Sequence, residues 1–321
     1  MNTPLVTIAI PTYNRADSYL EDALGNAIGQ TYQNIEILVS DNHSTDRTPE
    51  IIESFSDPRM RYYRQEKNLG QRPNMNFLVE KARGDYFLMY HDDDQIERDF
   101  IETCIKAAAY RTDVGLILTG SRVIDKSGNV LRSKENMAEG LSFDELVLLW
   151  YKQEIHMFLC SSLFNTEALR DAGGFKDRFD RYDDVAAEFM CAHSKGRVDV
   201  RECKANFREH PGSGTSASGV SSWCKSAIEL LNLSCSLAPS KRKEIRRNGL
   251  QTSADRVYRY AAESESKLEQ LKGFWTVFRM FGYKYLPSIK YFNKLFPLSG
   301  YAFHPYKSLS LLKSRIRNFS S

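Results

Sequence analysis

Residues 84–94 read Gly-Asp-Tyr-Phe-Leu-Met-Tyr-His-Asp-Asp-Asp. The apolar run Tyr86–Tyr90 has the length and composition of a buried strand. It runs straight into three carboxylates, Asp92, Asp93 and Asp94. Consecutive carboxylates at a strand end repel one another unless something positive sits between them. A hard divalent cation with oxygen ligands does this, and Mg2+ or Mn2+ in such a place keeps waters and bridges substrate phosphates. The plain alternative is a solvated turn with Asp94 capping the next helix. The position directly after a buried strand favours a site.

Working outward, Leu5–Ile10 reads as a buried strand stopped by Pro11, and Ser18–Gln30 as a helix with Leu20, Ala23, Leu24, Ala27 and Ile28 on one face. Asn34–Ser40 is a second buried strand. Thr45–Phe55 is a helix with Asp46 as its N-cap, and Met60–Arg64 is a short strand. Asn74–Ala82 is a helix closed by Gly84 as the residue after the cap. Asp99–Tyr110 is a helix and Val114–Thr119 a strand. Strands alternating with helices to about residue 120 predict a mostly parallel sheet with helices on both faces. Ligands of such sheets bind beyond the carboxyl ends of the strands. Pro11–Arg15, Asp41–Asp46 and His91–Asp94 all lie at such ends.

The middle, about 121–220, is less regular. Ser127-Gly128-Asn129 reads as a hairpin turn, and Phe143–Trp150 and Thr166–Ala172 as helices, the second closing at Gly173-Gly174. From about 221 the pattern is helical, with Pro287, Pro297 and Pro305 cutting the tail into short pieces. Residues 270–321 hold nine Lys or Arg and no acid, which leaves the rest of the chain net acidic although the total charge is +3. Basic residues interleaved with Phe274, Trp275, Phe278, Phe281, Tyr283, Tyr285, Tyr291, Phe292 and Phe296 suit the interface of an anionic membrane. They equally suit an appendage that packs its aromatics inward and leaves its lysines wet. No nucleic-acid recognition motif accompanies the charge, so nucleic acid is not an expected partner.

With 42% hydrophobic and 26% charged residues, the 321-residue chain can build a sizeable core and is not a disordered polymer. The stretch Met1–Arg15 reads as a strand, not a signal peptide, and no window approaches the roughly 18 apolar residues of a spanning helix. The expectation is a cytoplasmic protein, with docking at the inner leaflet if the tail binds membrane. Six scattered cysteines form no C-x-x-C pair, so free thiols are expected rather than a zinc site.

Three further clusters carry chemistry. Ser40–Asp46 offers small polar groups at a strand end, where Asp41 can accept from an imide N–H such as that of uracil or thymine. Asp183-Asp184, after Gly173-Gly174-Phe175, places adjacent carboxylates at a helix start. There they either complement the helix dipole or serve as a base. Arg208-Glu209-His210-Pro211-Gly212-Ser213 puts a histidine where it can serve a metal or a diphosphate, or simply sit in a surface loop.

In this order the pieces TIAIPTYNR (7–15), ILVSDNHSTD (37–46), NLG (68–70), GDYFLMYHDDD (84–94), GGF (173–175), DD (183–184) and RxHxGS (208–213) resemble the family 2 glycosyltransferases of GT-A fold, over roughly residues 1–215. The resemblance implies an α/β fold with a mostly parallel Rossmann-like sheet and a helical C-terminal appendage. The catalytic domain would be 1–220, a nucleotide-binding half (1–120) and an acceptor half (121–220), followed by a basic-aromatic region at 221–321. It implies inverting transfer of a sugar from a nucleotide-diphosphate donor, usually UDP- or dTDP-linked, to a glycan or lipid-linked saccharide, in surface polysaccharide synthesis, with Mn2+ or Mg2+.

Carried onto this chain, Pro11, Tyr13 and Asn14 line the base pocket, Asp41 contacts the base, one of Asp92–Asp94 the ribose (Asp92 or His91 where Asp93 holds the metal) and His210 the diphosphate. The base falls on Asp184, with Asp183 beside it. The family usually reads Asp-x-Asp-Asp. Counting from Gly84 puts the first Asp on His91 and the metal ligand on Asp93, and the other register puts the ligand on Asp94. Asp183 stands where the family usually has Glu.

Two other functions compete for these motifs. A nucleotidyltransferase needs a Gly-rich, Arg-containing loop after the first strand, and Pro11–Arg15 has no glycine. A non-catalytic nucleotide-sugar-binding protein that keeps the fold has only His91 in its favour.

Overall fold

The structure is a computed structural model that describes residues 3–209, 219–264, 266–282, 284–288 and 291. The strands are β1 (Val6–Thr12), β2 (Ile35–Asp41), β3 (Met60–Arg64), β4 (Tyr86–Met89), β5 (Gln95–Ile96), β6 (Leu116–Ile124), β7 (Val130–Lys134), β8 (Ser162–Asn165) and β9 (Arg197–Arg208). The helices are α1 (Leu20–Ile28), α2 (Thr48–Ser54), α3 (Gln71–Lys81), α4 (Phe100–Ala107), α5 (Phe143–Tyr151), α6 (Thr166–Asp171), α7 (Asp183–Lys195), α8 (Val220–Leu237), α9 (Arg242–Ala261) and α10 (Lys267–Phe281).

All strands share one sheet, in the order β3-β2-β1-β4-β8-β6-β9-β5, with β7 hairpinned onto β6. β3, β2, β1 and β4 are mutually parallel, as are β6 and β9, while β8 runs antiparallel between β4 and β6. β4 lies at the centre, and all four of its side chains are fully buried. Tyr86 and Leu88 join Ile8, Ile10, Leu24, Phe100 and Ile105 in the main apolar core. Each such side chain contributes roughly 1.5–3 kcal/mol by leaving water. The stripe Leu20, Ala23, Leu24 and Ala27 is the buried face of α1, as its spacing predicts.

Several local expectations are corrected. β1 does not stop at Pro11 but runs to Thr12. Ala9 O accepts from Tyr90 N, and Thr12 O from Asn42 N, so by alternation Pro11 faces the β4 side. The β1–β4 register ends at Ala9–Met89, so the missing N–H of Pro11 costs no ladder bond. Gly84 is not a left-handed cap; α3 ends at Lys81 with Ala82 as its C-cap. A Cβ at Gly84 would stand 2.6 Å from the Thr7 amide nitrogen, so the glycine permits close approach of the two chain segments. Asp46 caps locally, accepting from Thr48 N at 3.0 Å, although α2 starts only at Thr48. The helix closure at Gly173-Gly174 is as expected, with φ of 83° and 64°, and so is the hairpin turn around Gly128.

The chain divides into two compact units, Met1–Ser253 and Ala254–Ser321, whereas the sequence reading sets its boundary at 220. α8 belongs to the first unit because its buried face packs on the segment before α7. Ser222 Oγ donates to Asp180 at 2.6 Å, and Trp223 meets Tyr182 edge-on at 5.8 Å. In the second unit Val257, Tyr258, Ala261, Phe274, Val277 and Phe281 are buried, with Tyr258 and Phe274 in edge-to-face contact. Phe274 and Phe281 therefore serve a core. Tyr283, Phe292, Phe296, Pro297 and Pro305 lie outside the described residues. All six cysteines are free thiols. No helix among the described residues is long and apolar enough to cross a membrane.

Candidate active site

The three strand-end motifs converge on one edge of the sheet. At the end of β1, Thr12 Oγ1 donates to Asp92 at 2.6 Å. Asn14 adopts a left-handed φ of 52°. From there its N donates to Ser44 Oγ, and its side-chain oxygen accepts from Thr45 N, both at 2.8 Å. The loops after β1 and β2 are thus stitched together, leaving Tyr13 exposed and Pro11 half-buried beside them.

Asp41 is fully buried; its carboxylate accepts from Ser44 N at 2.8 Å and from the Tyr62 hydroxyl at 3.1 Å. It holds the Asn42–Thr45 turn. The turn is tied to the Asn68-Leu69-Gly70 bend, where Asn42 Oδ1 accepts from Leu69 N, and Asn74 at the start of α3 braces Ser40.

The aspartate turn is held from below. Asp94 is buried; its Oδ1 accepts from Arg208 N at 3.0 Å, and the buried Cys160 thiol also bonds it. Burial and the neighbouring Asp93 charge push the Asp94 carboxyl well above the usual carboxylate range. Asp92 is buried as well, with Arg15 Nε 3.3 Å from its Oδ1, and the other end of that guanidinium is 3.7 Å from Asp93. Arg208 donates from Nε to the Asp93 carbonyl and lies over the Tyr19 ring at 4.1 Å.

His91, Asp93 and Asp94 present ligand atoms within 4.8 Å of one another. The His91 Nε2 is shielded from solvent and has no hydrogen-bond partner. Burial pushes the His91 imidazole below its ordinary pKa, against the opposing pull of Asp93 and Asp183.

The helix α3 links the second acidic cluster to the strand ends, since Asn74 braces Ser40 and Arg72, on the same helix, holds Asp183. Arg72, on the first turn of α3, gathers it: Nε donates to Asp183 at 2.7 Å, Nη2 to Asp180 at 3.0 Å, and Nη1 pairs with Asp177. Burial raises the Asp183 carboxyl, and Arg72 works against the rise. The other Asp183 oxygen accepts from Asp184 N. Gly174 seats this loop on α3, where Asn76 makes two bonds to the Phe175 backbone. One turn beyond Asp184, Glu188 is fully buried, with Oε1 accepting from Ser162 and Oε2 unpartnered. Burial, then the Asp184 charge, hold its carboxyl well above the usual range.

Sequence reasoning gave no role to Arg15, Arg72, Cys160, Glu188 or Arg208. Arg15 and Arg208 lie inside motifs it quoted, and Arg72 follows Asn68-Leu69-Gly70 by two residues. Cys160 and Glu188 carry no signal of their own. The expectation on His210 lies outside the described residues.

The model of glycosyl transferase family 2 matches residues 7–173. An uncharacterized glycosyltransferase of Methanocaldococcus jannaschii is 26% identical over 205 residues, 63% of this chain and 69% of that protein. The chondroitin synthase of Escherichia coli is 34% identical over 137 residues, 41% of this chain and 19% of the synthase. Of the further relatives GlyA of Streptococcus pneumoniae and a Haemophilus influenzae glycosyltransferase, the matches span 16% and 41% of their lengths. Among solved structures, Staphylococcus aureus TarS 1–349 in complex with UDP-GlcNAc aligns at TM-score 0.56 and 16% identity, covering 86% of this chain and 89% of that one. The mannosyltransferase PcManGT of Pyrobaculum calidifontis, in complex with GDP-Man and Mn2+, aligns at 0.50 and 19% identity, covering 83% and 77%. These two likenesses bear on the fold.

Proposed function

The chain belongs to glycosyl transferase family 2 and is a glycosyltransferase, and from that premise we propose that it transfers a sugar, with inversion, from a UDP- or dTDP-linked donor to a hydroxyl of a glycan or lipid-linked saccharide in surface polysaccharide synthesis. The observation that carries this reading is the convergence at one sheet edge. Thr12–Asp92 and Asn14–Ser44 join the three strand ends, and α3 ties Asp183 to them through Arg72 and Asn74.

In this reading Pro11, Tyr13 and Asn14 flank the base, and Asp41 acts by holding the turn that meets it. Asp92, fixed by Thr12 and Arg15, faces the ribose, and facing the diphosphate is the role proposed for His210. Asp93 and Asp94 would hold a Mn2+ or Mg2+ ion; a pair of neighbouring carboxylates beside a half-buried imidazole whose shielded Nε2 has no partner fits such an ion. When bound, the ion supplies Lewis-acid stabilisation of the departing diphosphate.

Asp184 acts as the general base. Its carboxylate takes the proton of the acceptor hydroxyl while that oxygen bonds to the anomeric carbon. The bond to the diphosphate breaks on the opposite face, and its electron pair leaves with the diphosphate. Asp183 is the anchor that Arg72 holds from α3, and Asp184, whose Oδ1 accepts from Val185 N, is given the base role by the family resemblance.

The test is a thermal-shift screen of UDP, dTDP, GDP and their sugars with and without Mn2+. Stabilisation by UDP or dTDP that needs Mn2+ is expected. Stabilisation by GDP alone would move the donor assignment, and no response to any nucleotide would reject the reading.

A further inference from the structure

His91 is where this chain departs from the acidic pattern of the family it resembles, and its environment is unusual for a histidine. Its Nε2 is shielded from solvent and makes no hydrogen bond. Leaving a buried polar atom unpaired is unfavourable, and beside two carboxylates a bound ion is one group that would pair it. Arg15 points its guanidinium at Asp92 and Asp93, so it does not satisfy the ring. The groups whose charge acts on the imidazole are Asp93 on its own turn, Asp183 from the start of α7, and Arg15 from the loop after β1. An imidazole nitrogen, an Asp93 oxygen and an Asp94 oxygen all lie within 4.8 Å of one another, a separation that one ion can bridge.

Resting on the reading that Asp93 and Asp94 hold a divalent ion, we propose that His91 is a third, nitrogen ligand to that ion and biases the site away from Mg2+ toward Mn2+, Co2+ and Ni2+. Mg2+ prefers an all-oxygen octahedron and binds imidazole poorly. The later first-row ions accept imidazole readily, with affinity rising from Mn2+ to Ni2+. An aspartate at this position would give an all-oxygen set suited equally to Mg2+. The departure at His91 is therefore a change of metal preference rather than a loss of the site. Loss of outer-shell partners alone costs about 10–100-fold in metal affinity, and a direct ligand should matter at least as much.

The experiment uses the full chain with UDP. Electron spin-echo envelope modulation of bound Mn2+ detects a coordinated imidazole through its 14N signal. Calorimetric titrations compare Mg2+, Mn2+ and Ni2+ in wild type and His91→Asp. We expect 14N modulation in wild type and its disappearance in His91→Asp with Mn2+ still bound. The Ni2+-to-Mg2+ affinity ratio should fall at least about tenfold in the variant. Bound Mn2+ without 14N modulation, or modulation that persists in His91→Asp, overturns the role of His91 and leaves the aspartate site standing. Wild type that binds no Mn2+, with or without UDP, overturns the metal reading itself. The wild-type spectrum decides even if the variant fails to fold, which a thermal melt reports.

Discussion

Asp93 and Asp94 sit side by side but are held differently, and the difference makes their roles testable. Asp94 is buried against Arg208 and Cys160, while Asp93 is less buried and shares Arg15 with Asp92. Asp93→Ala is expected to abolish transfer and Mn2+-dependent nucleotide binding, measured by calorimetry, while Asp92→Ala leaves a residual metal response. If Asp94→Ala alone lost the response, the ligand would be one residue on. Asp184→Asn keeps shape but cannot take a proton, so kcat should fall about 10²–10⁴-fold with donor affinity unchanged. A dead Asp183→Asn beside an active Asp184→Asn would reverse the two roles. Glu188 gives a pH test of a different kind. Its carboxyl is raised by burial, so the stability it confers is complete below the unfolded carboxyl range and is lost as pH rises through its folded value. Glu188→Gln cannot ionise and should melt higher than wild type at pH 9 and close to it at pH 5 in a thermal melt. Equal differences at both pH values would reject a raised carboxyl. At this scale the acids were legible because three carboxylates after an apolar run are chemically conspicuous. Glu188 and Cys160 were not, since a single polar residue in a helix or a turn gives no sign of burial until the chain is folded.

Elements with strong periodicity or a clear apolar run were read from sequence with modest boundary errors: β1, β2, β4, α1 and α5 all stand where expected. β8 was missed. Its four residues, Ser-Leu-Phe-Asn, are fully buried, but Ser162 pairs with Glu188 and Asn165 caps α6, so the strand lacks an apolar signature. β9 was missed for another reason: it alternates charged and apolar residues as a partly exposed strand, and only the parallel pairing with β6 fixes it. Gly84 shows how a local rule yields to packing. The sequence suggests a helix cap, but the position is set by the Thr7 backbone that a Cβ would meet. Gly84→Ala should cost about 1–3 kcal/mol in urea unfolding, as overpacked sites do. A cost near zero would mean that β1 and β4 can part there freely.

For the whole molecule, the fold class was legible because alternating elements allow few topologies, whereas donor, acceptor and the place of the tail depend on surfaces no motif encodes. The tail remains a proposal for membrane docking. Phe274 and Phe281 are buried, whereas Trp275 is 38% and Leu286 37% exposed, and nine basic residues follow from Lys272 onward. Each Lys or Arg near an anionic surface contributes roughly 1 kcal/mol. Sedimentation with anionic vesicles, reversed by salt and absent with neutral ones, is the expected result; no binding would make the tail purely structural. The central claim, inverting transfer from a nucleotide-linked sugar at the Asp93 and Asp184 site, is tested most directly by proton NMR of the anomeric region while the full chain and Mn2+ act on a panel of α-linked UDP- and dTDP-sugars, with water as the slow acceptor. The sugar first released from one donor is expected to be the β anomer, with release stopped in Asp93→Ala and Asp184→Asn. An α anomer released first, or release that is undiminished in both variants, would contradict it.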